Sequence, residues 1–196
     1  MNYPMYFAER NNKDRRKEKL VHPFDGRVLP LEPSFIKQQA GQLADQLLTD
    51  GVDYIVGFAE GGLIPGYAIS EAVNIPFIGS YRVRLRLSHE IHFIEHHSER
   101  ASHFIYGLKP GDSVILIEDE ITTGRTLMNV IVQLKERNIS IRDIGVYTLN
   151  CGSTFLQQFE QNGFQVKYLY SRQDIAPMRH SDNGHVHKKS FKERLR

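Results

Sequence analysis

Residues 114–127 read Val-Ile-Leu-Ile-Glu-Asp-Glu-Ile-Thr-Thr-Gly-Arg-Thr-Leu, so a strongly apolar, strand-like run stops abruptly at two adjacent carboxylates, Glu118 and Asp119. A fold has no need of carboxylates at such a place, whereas a ligand does. The pair can hold vicinal hydroxyls, directly or through Mg²⁺, an ion that takes oxygen ligands and substrate phosphates. Beyond it, Thr122, Thr123, Gly124, Arg125 and Thr126 lead into a helix. Backbone N–H groups, hydroxyls and the positive end of a helix dipole then converge on one point, which suits a phosphate, and Arg125 adds charge. A ribose 5-phosphate satisfies both ends. A Walker A loop is excluded, because it needs glycine where Asp119 stands and lysine where Arg125 stands. The plainer alternative is an acidic cap on the following helix.

A second junction, Val56-Gly57-Phe58-Ala59-Glu60-Gly61-Gly62-Leu63, takes another apolar run through glycines straight into a helical pattern. Backbone approaches an anion closely at such a turn. It is not Gly-x-Gly-x-x-Gly, and taken alone it is equally a tight connection from strand to helix. Glu60 is an awkward neighbour for an anion and must either point away or hold a metal. Arg82, Arg84 and Arg86 alternate with Val83, Leu85 and Leu87. In an extended segment that places three guanidinium groups on one face and packs the apolar side chains on the other. Guanidinium groups chelate phosphate, but arginine also decorates the outer face of edge strands. His89, His92, His96, His97 and His103 invite a metal, with His92 and His96 sharing a helical face beside Glu95 or Glu99. Yet His89-Glu90-Ile91-His92 is one residue short of His-Glu-x-x-His, and histidines on a polar loop are commonly just exposed.

The elements that must position these groups follow from periodicity. A helix is expected from Ser34 as N-cap, through Ile36, Ala40, Leu43, Ala44 and Leu47, to about residues 50–51. Strand 52–56, the helix carrying Leu63, Ala68, Ile69, Ala72 and Val73, and strand 76–78 make a βαβ unit. A strand-like segment 81–87, a polar histidine-rich stretch, strand 114–117, helix 124–138, strand 144–149, helix 154–162 and strand 165–170 continue the alternation. The pattern predicts an α/β fold: an open, mainly parallel twisted sheet with helices on both faces and ligands beyond the C-terminal strand ends. The charge run of residues 9–19 reads as a surface segment rather than a strand.

The chain has 196 residues with 40% hydrophobic and 24% charged, enough for one folded core and unlike a disordered or fibrous chain. No apolar run approaches the roughly 18 to 20 residues of a membrane span, and residues 1–10 lack the apolar stretch of a secretory signal. A cytoplasmic location without membrane contact is expected, and a lone Cys151 agrees with a reducing compartment. Net charge is +2, but residues 171–196 hold seven Lys or Arg against three acids. That basic tail is read as solvated, and nucleic acid is not an expected partner.

At residues 114–127 the sequence resembles the type I phosphoribosyltransferase family, whose signature is an apolar strand, two acids, two variable residues, a hydroxyl-rich Thr-Gly turn and a closing Thr or Ser. The resemblance implies a core at residues 34–170, with 1–33 contributing to a small hood and 171–196 forming a basic C-terminal segment. It implies that Glu118 and Asp119 bind the ribose hydroxyls of phosphoribosyl pyrophosphate and Mg²⁺. Residues 122–126 would wrap the 5-phosphate, and Ala59, Glu60, Gly61 and Gly62 would form the pyrophosphate loop. Arg82 and Arg84 would belong to a catalytic loop that closes over pyrophosphate in a homodimeric enzyme. The implied reaction is a Mg-dependent transfer of the phosphoribosyl group to a nitrogenous base with release of pyrophosphate. Two departures bear on the base. Glu120 stands where the family usually has an apolar residue, and the acid that hypoxanthine-guanine enzymes carry at the position of Thr122 is missing. An orotate-like, adenine-like or specialised acceptor is therefore expected. The alternative is a non-catalytic regulatory protein that senses phosphoribosyl pyrophosphate and binds nucleic acid.

Overall fold

The computed structural model describes residues 5–9, 18–94 and 102–175. Two compact units are present, one running Pro23–Asp174 and the other drawn from residues before 23 and after 174. In the smaller unit, β1 (Tyr6–Glu9) and β2 (Glu18–Val21) pair antiparallel, with Tyr6 opposite Val21 and Phe7 opposite Leu20. Glu9, Glu18 and Lys19 thus lie in strands, against the reading of residues 9–19 as non-strand. The cause is the apolar flanks of the run: Phe7, Leu20 and Val21 are buried. The middle of the run lies outside the described residues, as does the basic tail from residue 176 onward.

The larger unit is built from α1 (Pro33–Ala44), β3 (Tyr54–Gly57), α2 (Leu63–Val73), β4 (Phe77–Gly79), β5 (Ile91–Ile94), β6 (Ser102–Ile105), β7 (Ser113–Ile121), α3 (Arg125–Glu136), β8 (Ser140–Leu149), α4 (Ser153–Gln161) and β9 (Val166–Ser171). The main sheet runs β4-β3-β7-β8-β9, and every neighbouring pair is parallel. This is the open parallel sheet expected from the alternation of elements. Successive residues of β7 face opposite sides of it. Val114 and Leu116 join Val130 and Leu134 of α3 in one buried cluster. On the other side, the α-carbon of Gly145 in β8 is overlain by Ile117, Leu43 and Leu47. Helices cover both faces.

Four local expectations are corrected. The first helix is capped by Glu32 with Pro33 in its first turn, not by Ser34, because proline's fixed φ and missing N–H suit the first helical position. It stops at Ala44 rather than near residue 50; the Leu48 N–H instead donates to Asp143 Oδ2 at 3.1 Å. Strand β7 does not end at Ile117 but continues through Glu118, Asp119 and Glu120, since β8 pairs with it as far as Leu149. The fourth concerns residues 81–94. Beyond a single bridge from Tyr81 to Phe104, residues 82–87 form no strand, while the histidine-rich stretch contains β5, paired antiparallel with β6. Ile91 and Phe93 alternate with exposed His92 and Ile94, the period of a half-buried strand.

Candidate active site

Strands β3 and β7 are parallel neighbours in register, Gly57 opposite Ile117, so the glycine turn after β3 and the carboxylates of β7 emerge side by side. Their contact is close. A Cβ on Gly61 would fall within the Asp119 carboxylate, and one on Gly62 would lie 2.6 Å from Glu118 Oε2. Glycine is required here because the loop backbone lies flat against both acids. The turn is closed by the Gly62 N–H donating to the Phe58 carbonyl at 2.9 Å, and its Ala59–Glu60 peptide bond is cis. Gly61 and Gly62 therefore stand next to Asp119 and Glu118, with Ala59 and Glu60 immediately before them in the same turn.

On the other side of the acids, β7 passes through Thr122 and Thr123 to Gly124, which caps α3 in the left-handed region at φ 64°. A Cβ there would meet the Phe159 ring at 2.8 Å. Arg125 and Thr126 form the first turn of α3, with Arg125 exposed and Thr126 half-buried. The hydroxyls and N–H groups of residues 122–126 thus follow the carboxylates without a break at a helix N-terminus. Glu120 turns to other partners: Asn150 Nδ2 donates to its Oε1 at 2.8 Å, and Arg172 Nη1 donates to Asn150 Oδ1 at 2.8 Å.

The cations are arranged differently from the expectation. Arg27, which the sequence did not single out, lies among three carboxylates: its Nε is 2.6 Å from Asp25 Oδ2, Nη1 3.4 Å from Glu60 Oε2 and Nη2 3.8 Å from Asp119 Oδ2. Burial alone would lower its pKa, but the hydrogen bond to Asp25 and the charges of Asp25, Asp119 and Glu60 raise it overall. The local signal for it was an Asx-type turn, in which the Arg27 N–H donates to Asp25 Oδ1 at 3.0 Å. Its other partners are remote in sequence. Glu60 points to arginines, with Arg82 Nε 3.7 Å from its Oε1. Arg82 is thereby tied to the loop, while Arg84 is not: its Nε donates to Glu90 Oε1 at 2.8 Å, and the Tyr106 hydroxyl donates to Glu90 Oε2 at 3.1 Å. Val83, Leu85 and Leu87 are about half exposed, so among the described residues the expected packing of that segment's apolar face is not made.

The metal reading of the histidines also changes. His92 lies on a strand, stacked on Phe104 and 3.1 Å from Ser102 Oγ, so it has no helical face to share. His103 is buried in β6 against Phe93, and His89 is exposed at a turn. His96, His97, Glu95 and Glu99 lie outside the described residues.

Two acids thus stand at a parallel strand end, flanked by one turn flattened against them and another rich in hydroxyls. A sequence model of the phosphoribosyl transferase family matches residues 5–165. The chain belongs to this family. Among curated relatives, the hypoxanthine/guanine phosphoribosyltransferase of Methanobrevibacter ruminantium is 30% identical over 63% of this chain and 66% of its own length. That of Methanothermobacter thermautotrophicus is 27% identical over 76% and 77%. Among solved structures, the adenine phosphoribosyltransferase of Leishmania donovani superposes with a TM-score of 0.70 at 15% identity, covering 98% of this chain and 87% of that one. That of Trypanosoma brucei, solved with AMP, pyrophosphate and ribose-5-phosphate, gives 0.69 at 15% identity over 98% and 88%. These structural likenesses establish the phosphoribosyltransferase fold. Among the described residues no helix is long and apolar enough to cross a membrane.

Proposed function

We propose that this phosphoribosyltransferase moves the 5-phosphoribosyl group of phosphoribosyl pyrophosphate to a ring nitrogen of a purine base, with release of pyrophosphate. The observation that carries the reading is the Gly61 and Gly62 backbone laid against Asp119 and Glu118, which supports a pyrophosphate subsite beside a ribose subsite. In this arrangement Glu118 and Asp119 face the ribose hydroxyls, and residues 122–126 enclose the 5-phosphate. The N–H groups of Glu60 and Gly61 are left to the leaving group, since those of Ala59 and Gly62 are bonded to Ser80 Oγ and the Phe58 carbonyl and hold the turn in shape, and Arg82 adds charge. As the C1–O bond breaks, C1 becomes cation-like and the carboxylates offset that charge, while the loop amides and arginines receive charge on the departing oxygens. Glu118 and Asp119 offer the hard oxygen ligands that would hold Mg²⁺, and the ion would supply further positive charge to the pyrophosphate. No covalent nucleophile is required.

A purine acceptor is supported by the hypoxanthine/guanine and adenine names of the relatives. Orotate would need cations for its carboxylate, and Arg84, one of the arginines expected to supply them, is engaged by Glu90. A homodimer is part of the same proposal: Val83, Leu85 and Leu87 stay exposed in the single chain and fit burial against a second copy. The test is a panel of adenine, hypoxanthine, guanine and orotate incubated with phosphoribosyl pyrophosphate and Mg²⁺, reading pyrophosphate release. Turnover with a purine and none with orotate is expected. Turnover with orotate alone would overturn the acceptor assignment, and release with no base would overturn the transferase reading itself.

A further inference from the structure

Ser80 follows the last residue of β4 and reaches across to the turn after β3. Its backbone N–H donates to the Gly57 carbonyl at 2.8 Å, and its Oγ accepts the Ala59 N–H at 2.8 Å. One residue thus grips the chain on both sides of Phe58, at the entrance to the glycine loop. Ser80 is buried, and its hydroxyl faces one further polar atom, Nδ1 of His103, at 3.4 Å. His103 is itself buried in β6 and stacked on Phe93 at 5.2 Å between ring centroids. Next to it, Tyr81 and Phe104 exchange backbone hydrogen bonds of 2.7 and 2.8 Å, so β6 and the chain leaving β4 are joined at two adjacent points.

A serine hydroxyl has one proton and two lone pairs. With a lone pair committed to the Ala59 N–H, the hydroxyl keeps a proton and a second lone pair, so it can pair with Nδ1 of His103 in either tautomer, and that contact orients the hydroxyl with a lone pair toward Ala59. Burial of Ser80 and His103 makes the arrangement consequential, since it limits the access of water to the serine hydroxyl and an unmatched buried polar group is costly. The stacking that packs His103 on Phe93 does not need a nitrogen at Nδ1. A phenylalanine would stack on Phe93 equally well.

We propose that Ser80 and His103 are positioning residues for the pyrophosphate loop: His103 orients the Ser80 hydroxyl, which sets the Ala59 peptide and so the direction of the loop's N–H groups. The inference rests on the reading of residues 59–62 as the pyrophosphate subsite. It also links that loop to β6, one arm of the β5–β6 hairpin, so that a change in the hairpin reaches the loop through two hydrogen bonds.

The test compares wild type with Ser80→Ala, His103→Phe and His103→Asn in the full chain, using pyrophosphate with Mg²⁺ as the probe for calorimetric binding and hydrogen exchange of residues 57–62. His103→Phe keeps the aromatic packing and removes Nδ1, and asparagine returns a polar atom near the same place. Pyrophosphate affinity is expected to fall about 5- to 20-fold in Ser80→Ala and about 3- to 10-fold in His103→Phe, with faster exchange of the loop amides and a melting temperature little changed in the latter. His103→Asn should recover most of the loss, and the double variant Ser80→Ala with His103→Phe should bind no worse than Ser80→Ala alone, because the two act through one bond. Wild-type affinity and loop exchange in His103→Phe would overturn the relay while leaving the loop assignment standing. Failure of the wild type to bind pyrophosphate would overturn the loop assignment and the relay together.

Discussion

Asp119 is the side chain on which most of the site converges. Its carboxylate is 13% exposed, lies against the α-carbon of Gly61 and stands 3.8 Å from the Arg27 guanidinium. Asp119→Asn keeps the shape and removes the charge, so it should lower kcat/KM by about 100-fold or more, in the range seen when a site loses one well-placed electrostatic contact, with the melting temperature within a few degrees of wild type. Steady-state kinetics beside a thermal melt check this, and activity within a few-fold of wild type would remove Asp119 from the ribose site. The acids and Thr-Gly turn were legible because residue type, order and the preceding apolar run coincide in one short segment. Arg27 was not, since Glu60 and Asp119 come to it only through the fold. Cys151 supplies a separate check. Burial pushes its thiol up, so it holds less thiolate at pH 8 than an open cysteine. Its alkylation by iodoacetamide should be several-fold slower than that of glutathione and should accelerate as the pH is raised above 8; equal rates at pH 8 would contradict the burial.

Elements were more legible in kind than in extent. The parallel alternation follows from apolar runs of strand length separated by helical periodicity, and those signals survive in every strand of the main sheet. Their ends depend on partners: β7 runs on through three acids because β8 continues beside it, and α1 stops early where Asp143 accepts the Leu48 N–H. The β5–β6 hairpin was hidden by polar residues on its exposed face, although Ile91 and Phe93 carry the strand period. The junction of β7 with α3 illustrates what an element end demands. Gly124 has a positive φ, and a Cβ would press on the Phe159 ring at 2.8 Å, so Gly124→Ala combines left-handed strain with overpacking. A loss of about 2 to 4 kcal/mol in urea unfolding is expected, together with weaker binding of ribose 5-phosphate, because the same residue sets the first turn of the proposed phosphate loop. A stability change below about 0.5 kcal/mol would show that the turn tolerates a side chain.

At the scale of the whole molecule, the alternation of Arg82, Arg84 and Arg86 with Val83, Leu85 and Leu87 takes on a different meaning from the one the sequence suggested. The arrangement predicted an amphipathic strand with a covered apolar face. Instead the segment is held from its polar side, through Arg84, Glu90 and Tyr106, with the Leu85 N–H donating to the Tyr106 hydroxyl at 2.7 Å, while Val83, Leu85 and Leu87 remain half exposed. The described residues leave them half uncovered. Three half-exposed apolar side chains within one anchored segment offer surface that a second copy can bury by two-fold symmetry, each segment meeting its equivalent. Sedimentation velocity at micromolar concentration should therefore give twice the chain mass. Leu85→Glu places a charge in the patch while sparing the Tyr106 bond, which uses the backbone N–H, and should shift the protein toward the monomer. Because Arg82 of the same segment pairs with Glu60 of the loop, the monomeric variant should also lose activity, by about 10-fold, with pyrophosphate binding weakened in step. A wild-type chain that sediments as a monomer throughout, or a Leu85→Glu variant that remains dimeric, would place the contact between copies elsewhere.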